Sequence, residues 1–355
     1  VIEDEQGAHF EELVDIDVKS HLDMPATVMD LSSVVAEFAQ RDFDLSRPLW
    51  RILIVSTGHR TTLVGAFHHA IADGQTAMGL LGQLLDEPPV LPTVRSATHS
   101  SADSAPPPPI REAMQPVIDR LVKDPVGLAG DLNRIAQSVN SLLQIPTPSK
   151  TQRRGGRIYF SAWETTTTEI QHNVTDSLIA IGVELWHAAT GHKDLVVNVP
   201  VSAHGGRGVN QFTIARLKMK AQPEAPDLNI AESRTALVRW RNEPANALLP
   251  HIVELSQFLP TQMISSLVKQ SAVSVTSLKG GHQIGSIAGV QVGRVIPLVT
   301  PTGVAVNITA AVLGNRVMIG VSADGAVFDS RAQLISHFEQ AAVRVLGFTP
   351  TRLTL

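Results

Sequence analysis

The residues best suited to chemistry are His68 and His69, in the run Ala66-Phe67-His68-His69-Ala70-Ile71-Ala72-Asp73-Gly74. A histidine with an ordinary pKa of about 6.5 takes up and returns a proton near neutral pH, so it can activate a hydroxyl as a general base. Two histidines in succession at a strand end project to opposite faces, because side chains alternate along extended backbone. One then looks into a cleft while the other packs behind it. Alternation alone does not say which of the two is the base; the one that faces away reads as a packing or tautomer-fixing residue. Asp73, four residues after His69 across a turn, reads as the residue that holds the loop through an arginine elsewhere in the chain. Gly74 either lets backbone approach a substrate or simply opens a helix. Metal ligation by His69 and Asp73 lacks a third ligand nearby, so proton transfer is the chemistry the pattern favours.

These residues need a strand before them and a helix after them. Arg51-Ile52-Leu53-Ile54-Val55 and Thr62 to Phe67 read as two short strands joined by Ser56-Thr57-Gly58-His59-Arg60. From Gln75 to Leu85 the apolar Met78, Leu81, Leu84 and Leu85 recur at helical spacing. Earlier, an extended segment is expected around Val14–Val18. A helix from about Met29 to Ala39 follows, with Asp30 and Ser32 as cap candidates and Val34, Val35 and Phe38 on one face. Pro48 stops any helix there, and Leu49-Trp50 opens the strand that leads to the histidines.

At 355 residues the chain is long for one core, so two lobes are expected. A hydrophobic share of 43% against 17% charged residues suits a globular protein with a large interior. The net charge of −4 gives no basic face for nucleic acid. The absence of cysteine excludes disulfides, a thiol nucleophile and thiolate metal sites, and fits a reducing compartment. No apolar run approaches the roughly 20 residues that span a bilayer, and the acidic start Val1–Gln6 carries no signal-peptide pattern. A cytoplasmic protein is expected.

The Pro-, Ser- and Ala-rich stretch 87–109 reads as a linker, and 110–145 as an interrupted amphipathic helical region. A second linker covers 147–156. The remainder alternates: strands at 157–163, 195–201, 212–219, 272–275, 290–295, 304–313 and 316–322, and helices at 176–189, 228–241, 250–268 and 330–345. Mixed strands and helices in both halves give an α/β (α+β) fold, divided into lobes 1–146 and 147–355. Gly205-Gly206-Arg207-Gly208 and Lys279-Gly280-Gly281 lack the spacing of a phosphate-binding loop and read as plain loops.

The run His68-His69-Ala70-Ile71-Ala72-Asp73-Gly74 resembles the His-His-x-x-x-Asp-Gly signature of acyltransferases with the chloramphenicol-acetyltransferase-like fold. Pro48-Leu49-Trp50 is similar to the Pro-Leu-Trp element of the bacterial wax ester synthase/diacylglycerol acyltransferases, and Leu85-Asp86 closes the following helix as in that family. Val199-Pro200-Val201-Ser202, Gly208-Val209-Asn210, Val306-Asn307-Ile308-Thr309, Gly314-Asn315-Arg316-Val317 and Val321-Ser322-Ala323-Asp324 continue the similarity in the same order. Two elements depart from it. The family's Asn-Asp pair falls on Thr175-Asp176, and its Ser-Asn-Val-Pro-Gly element on Thr276-Ser277-Leu278-Lys279-Gly280. A further strand and helix, usual in the family, are expected to be lacking at the front.

The resemblance implies two chloramphenicol-acetyltransferase-like lobes, each a mixed sheet with helices, around a substrate tunnel. It implies O-acyl transfer from acyl-CoA to diacylglycerol or a fatty alcohol, with His69 as base, no acyl-enzyme, and no cofactor beyond acyl-CoA as substrate. Asn307, Thr309 and Ser277 are expected to line the tunnel or donate to the oxyanion, and Asp176 belongs with them as the retained half of the Asn-Asp pair. Two alternatives stay open: a condensation-type enzyme that takes its acyl group from a carrier protein, and a catalytically silent lipid-binding paralogue.

Overall fold

A computed structural model describes residues 2–4, 7–9, 15–25, 30–88, 119, 122–124, 157–202, 212–241, 271–280, 285–301 and 304–354. Most of the linkers and of the 110–145 region, the helix expected at 250–268 and the 203–211 loop lie outside these residues.

Besides a short hairpin, β1 (Ile2–Asp4) with β2 (Gly7–His9), the first part of the chain forms a three-stranded sheet. In it β3 (Leu22–Asp23) runs parallel to β4 (Trp50–Thr57), which pairs antiparallel with β5 (Arg60–Phe67). The hairpin turns at Gly58, whose φ of 57° suits a residue without Cβ. The segment expected to be extended around Val14–Val18 instead enters a 3-10 turn at Val18–His21, because the Asp17 carboxylate accepts from Lys19 N–H and caps it. Helix α1 (Leu31–Gln40) begins as its sequence requires, with the Asp30 carboxylate accepting from the N–H groups of Ser32 and Ser33. Phe38 of α1 packs with Leu53 and Val55 of β4 in a small core. Helix α2 (Gly74–Gly82) follows the histidines.

The second part is built on a seven-stranded sheet in the order β14-β6-β13-β12-β9-β7-β8. Its strands are β6 (Ile158–Thr166), β7 (Asp194–Ser202), β8 (Phe212–Lys220), β9 (Ser271–Lys279), β12 (Val304–Leu313), β13 (Arg316–Asp324) and β14 (Thr351–Leu353). Only the pairs β9–β12 and β7–β9 are parallel. Helices α3 (Val174–Thr190), α4 (Pro226–Arg241) and α5 (Arg331–Leu346) pack against one another, with α3 across the strands of one face. That face carries the main core, including Trp163, Val273, Val275, Val306, Ile308, Ala310 and Ile319. Gly182 lets α3 come down onto β9 and β12, since a Cβ there would stand 2.9 Å from Val273 Cγ1.

The other face differs in composition. Residues paired in register share a face, so Ser274 lies with Asn307, Thr276 with Thr309, and Leu278 with Ala311. Neighbouring parallel strands need a crossover. Between β9 and β12 the chain makes it across this second face rather than through a helix. A two-residue ladder, β10 (Ser286–Ile287) with β11 (Val290–Gln291), leads into an unpaired strap at 292–301. The strand expected at 290–295 therefore ends after Gln291. The strap sits so close that the Pro297 carbonyl oxygen occupies the space a Cβ on Gly320 would need. Ser322 Oγ donates to Val299 O, and Asn307 Nδ2 donates to Thr300 O at 3.0 Å. Glu164 holds the start of the strap through Arg294 (2.9 Å) and pairs with Arg316 (2.7 Å). Burial pushes the Glu164 carboxyl up, but the hydrogen bonds from the two guanidinium groups hold it below its ordinary value.

Candidate active site

Strand β5 ends at Phe67, one residue before the histidines. His68 N–H donates to Leu49 O at 2.9 Å, and Ile71 N–H returns to His68 O at 3.0 Å, which closes a tight turn with His69 and Ala70 at its tip. The turn, and not strand alternation, separates the two rings. His68 is half-buried: its Nδ1 accepts from Ala70 N–H at 3.2 Å, and Phe43 meets it edge-on at 5.7 Å. That bond places the proton of the neutral His68 ring on Nε2. His69 is exposed at the tip.

Asp73 caps α2, its carboxylate accepting from Thr76 N–H at 2.8 Å. Among the described residues no ion pair joins it to an arginine. Gly74 opens the helix against the second sheet, and a Cβ at that position would stand 3.1 Å from Leu278 Cδ2. Further along α2, Met78 packs with Val295 and Ile296 of the strap on the small core of Ala162, Ala311, Leu313 and Met318. On the same helical stripe as Gly74 and Met78, Leu81 reaches β5, where Gly65 leaves room for it. Helix α2 is thus wedged between the histidine-bearing strand and the second face of the large sheet.

The remaining expected site residues separate. Thr309 and Asn307 lie on the face that α2 approaches, both buried, and Asn307 is engaged in holding the strap. Ser277, expected beside them, pairs with Ala310 and alternates with Val273 and Val275, so it points to the helix-covered face. An isolated sequence cannot reveal this, because a strand's facing depends on its register. Asp176 stands in the first turn of α3. Burial pushes its carboxyl up, against the attraction of Arg234, Arg241 and His172. Its charged neighbours thus lie on α4 and the entry to α3. Leu278, inside the departing Thr276–Gly280 element, is the residue Gly74 meets, a contact that no local sequence pattern signals.

Among the described residues no group of three His, Asp or Glu side chains is placed to hold a metal, and no helix is long and apolar enough to cross a membrane. Two surface hollows lie away from the histidines, one on α5 and β14 around Ile335, Val343 and Arg352, the other beside Gln171 and His172.

Residues 8–176 match the wax ester synthase/diacylglycerol acyltransferase catalytic domain, and residues 209–344 match the C-terminal domain of the same proteins. No curated protein sequence matches the chain. Among solved structures it is similar to the wax ester synthase/diacylglycerol acyltransferase from Marinobacter aquaeolei VT8. The two share 17% identity and a TM-score of 0.56 over 94% of this chain and 82% of that one. A variant of the starter condensation domain of rhizomide synthetase RzmA aligns at 12% identity and a TM-score of 0.48, over 99% of this chain and 82% of that one. The epimerization domain from the third module of tyrocidine synthetase B aligns at 14% identity and a TM-score of 0.46, over 92% and 79%. The likeness to the Marinobacter structure shows a shared fold. With both of its domains matched in order, the chain belongs to the wax ester synthase/diacylglycerol acyltransferase family of acyltransferases.

Proposed function

We propose that the protein transfers a long-chain acyl group from acyl-CoA to the hydroxyl of diacylglycerol or of a fatty alcohol, with His69 as general base. The reading rests above all on the exposure of His69 at the tip of the turn that follows β5. In the proposed step the imidazole of His69 takes the hydroxyl proton as the alcohol oxygen attacks the thioester carbonyl carbon. The tetrahedral intermediate then collapses, the C–S bond breaks, and the departing CoA thiolate recovers the proton from His69. No covalent acyl-enzyme enters the scheme, in keeping with a chain that has no cysteine. A positioned base contributes roughly 10²–10⁴-fold, and holding two reactants together contributes about 7–11 kcal/mol. Most of the acceleration would thus come from binding both substrates between lobes 1–146 and 147–355. Thr309 is the buried hydroxyl that best fits a role beside the reacting carbonyl. Substrates of this kind imply transient contact with a membrane or a lipid body.

The test is release of free CoA from palmitoyl-CoA, with diolein or hexadecanol as acceptor. Acceptor-dependent release is expected, falling 10²–10⁴-fold in His69→Ala with little change in the KM for palmitoyl-CoA. Wild-type protein that binds both lipids yet releases no CoA with either would refute the enzyme reading.

A further inference from the structure

Asp86 stands four residues beyond the last residue of α2 and is exposed. It makes four hydrogen bonds to the β10–β11 hairpin, which belongs to the crossover of the other sheet. Its backbone N–H donates to Ser286 O at 2.7 Å. Its carboxylate accepts from Ser286 Oγ (2.7 Å), Ala288 N–H (2.7 Å) and Gly289 N–H (2.9 Å). The two amides converge on one anion because both residues are left-handed, with φ of 50° at Ala288 and 76° at Gly289. Ala288 is the sole non-glycine residue with positive φ among the described residues. An alanine held in that conformation needs surroundings that impose it. The Ser286 hydroxyl, followed by the Gly289 amide, draws the Asp86 carboxyl below its ordinary value, so it is ionised at neutral pH. Leu85 packs beside Gly285 and completes the junction.

Helix α2 and the turn after it therefore meet the second sheet and its crossover at three places: Gly74 on Leu278, Met78 on the small core of Ala162, Ala311 and Met318, and Asp86 on the hairpin. The first lies five residues from His69, and the last is the polar fastening at the opposite end. We propose that Asp86 is a positioning residue for the reaction: its carboxylate fixes the tilt of α2 against the hairpin and thereby sets where the His69 turn stands over the second sheet. The assignment rests on the proposed role of His69. It predicts that loosening Asp86 impairs turnover more than donor binding, since no bond of Asp86 touches the turn itself.

The experiment compares Asp86→Ala, Asp86→Asn and Ser286→Ala with the parent, using CoA release from palmitoyl-CoA and amide hydrogen exchange. In Asp86→Ala, kcat should fall at least tenfold while the KM for palmitoyl-CoA changes less than threefold. Amides of 285–291 and of α2 should exchange at least tenfold faster. Ser286→Ala, which removes one of the three bonds the carboxylate accepts, should fall between Asp86→Ala and the parent in both readouts. Asp86→Asn keeps the shape but loses the charge, and should also be intermediate. Faster exchange confined to the hairpin, with kcat unchanged, would overturn the assignment. So would a uniform loss of kcat and of protection across both sheets, which marks general destabilisation. If the parent releases no CoA, the acyl-transfer reading fails on its own; exchange in α2 still decides whether Asp86 fixes the helix.

Discussion

Replacing Gly320 by alanine puts the packing of the strap to a direct test. In open strand, alanine is preferred over glycine by about 0.5–1 kcal/mol, so propensity alone predicts a gain. Here the new Cβ would overlap the Pro297 carbonyl oxygen, stand 3.0 Å from the Pro297 carbonyl carbon and 2.9 Å from Leu298 Cδ2. Backbone cannot swing aside as the end of a side chain can, so the strap must lift. Lifting breaks the bonds from Ser322 to Val299 O and from Asn307 to Thr300 O, and both donors are buried. A buried polar group left unsatisfied costs about 1–3 kcal/mol, so two such groups, net of the propensity gain, predict a loss of about 1–5 kcal/mol. Gly293 is the internal control: it lies on the same strap with nothing within 4 Å of its Cβ position, so Gly293→Ala should stay within about 0.5 kcal/mol of the parent. Urea unfolding of the three proteins, with hydrogen exchange over 292–301, measures both effects. A Gly320→Ala protein as stable as Gly293→Ala, with unchanged exchange in the strap, would refute this account of the second face.

Three further outcomes follow from the same geometry. Asp73→Ala should cost about 1 kcal/mol through loss of the α2 cap, while Asp73→Asn, an equally good cap, should stay within a few tenths and keep its activity; equal damage from both in thermal melts and CoA release would instead indicate a charge pair. Asp176 has its folded pKa raised by burial, so its ionisation weakens folding progressively as pH climbs from the ordinary value of 3.8 to the raised one, and the full cost persists above that. Asp176→Asn should therefore be more stable than the parent at pH 7 and indistinguishable at pH 3, as read from urea midpoints at the two pH values. Glu184 is buried between Asn229 Nδ2 (2.5 Å) and Arg344 Nε (3.1 Å), so Glu184→Ala should lose about 2–3 kcal/mol in urea unfolding, moderated because Arg344 remains half in water. In a double-mutant cycle with Arg344→Ala, the coupling between the two should be measurable.

The parts of the fold legible in the sequence are those whose pattern is local. The β4–β5 hairpin announced itself by two apolar runs around a glycine turn, and α1 by Asp30 and the spacing of Val35 and Phe38. The histidines stood out by type. What pattern could not supply was register. Ser277 and Thr276 are neighbours in sequence but face opposite sides of the sheet, and only pairing with β12 decides which side each takes. The strap is hidden for a related reason: Val292 to Val295 has strand composition, yet its bonds are single ones to Gly285, Glu164 and Arg316 rather than a ladder. Asp73 shows the opposite case. An aspartate immediately before a helix-opening glycine is a cap signal readable from sequence alone, and Asp73 accepts from Thr76 N–H at 2.8 Å, with no arginine ion-paired to it among the described residues.

The bond between Asp86 and Ser286 joins positions 200 residues apart. Contacts so distant along the chain close slowly, because the entropy of a long loop is lost before the contact returns anything. During synthesis, helix α2 is complete long before the hairpin that fastens it has been made. A nascent chain halted before residue 285 would carry Met78 without Ala311, Leu313 and Met318, the core residues it packs on. Covering the helix beside the histidines thus waits for residues made long after the histidines themselves.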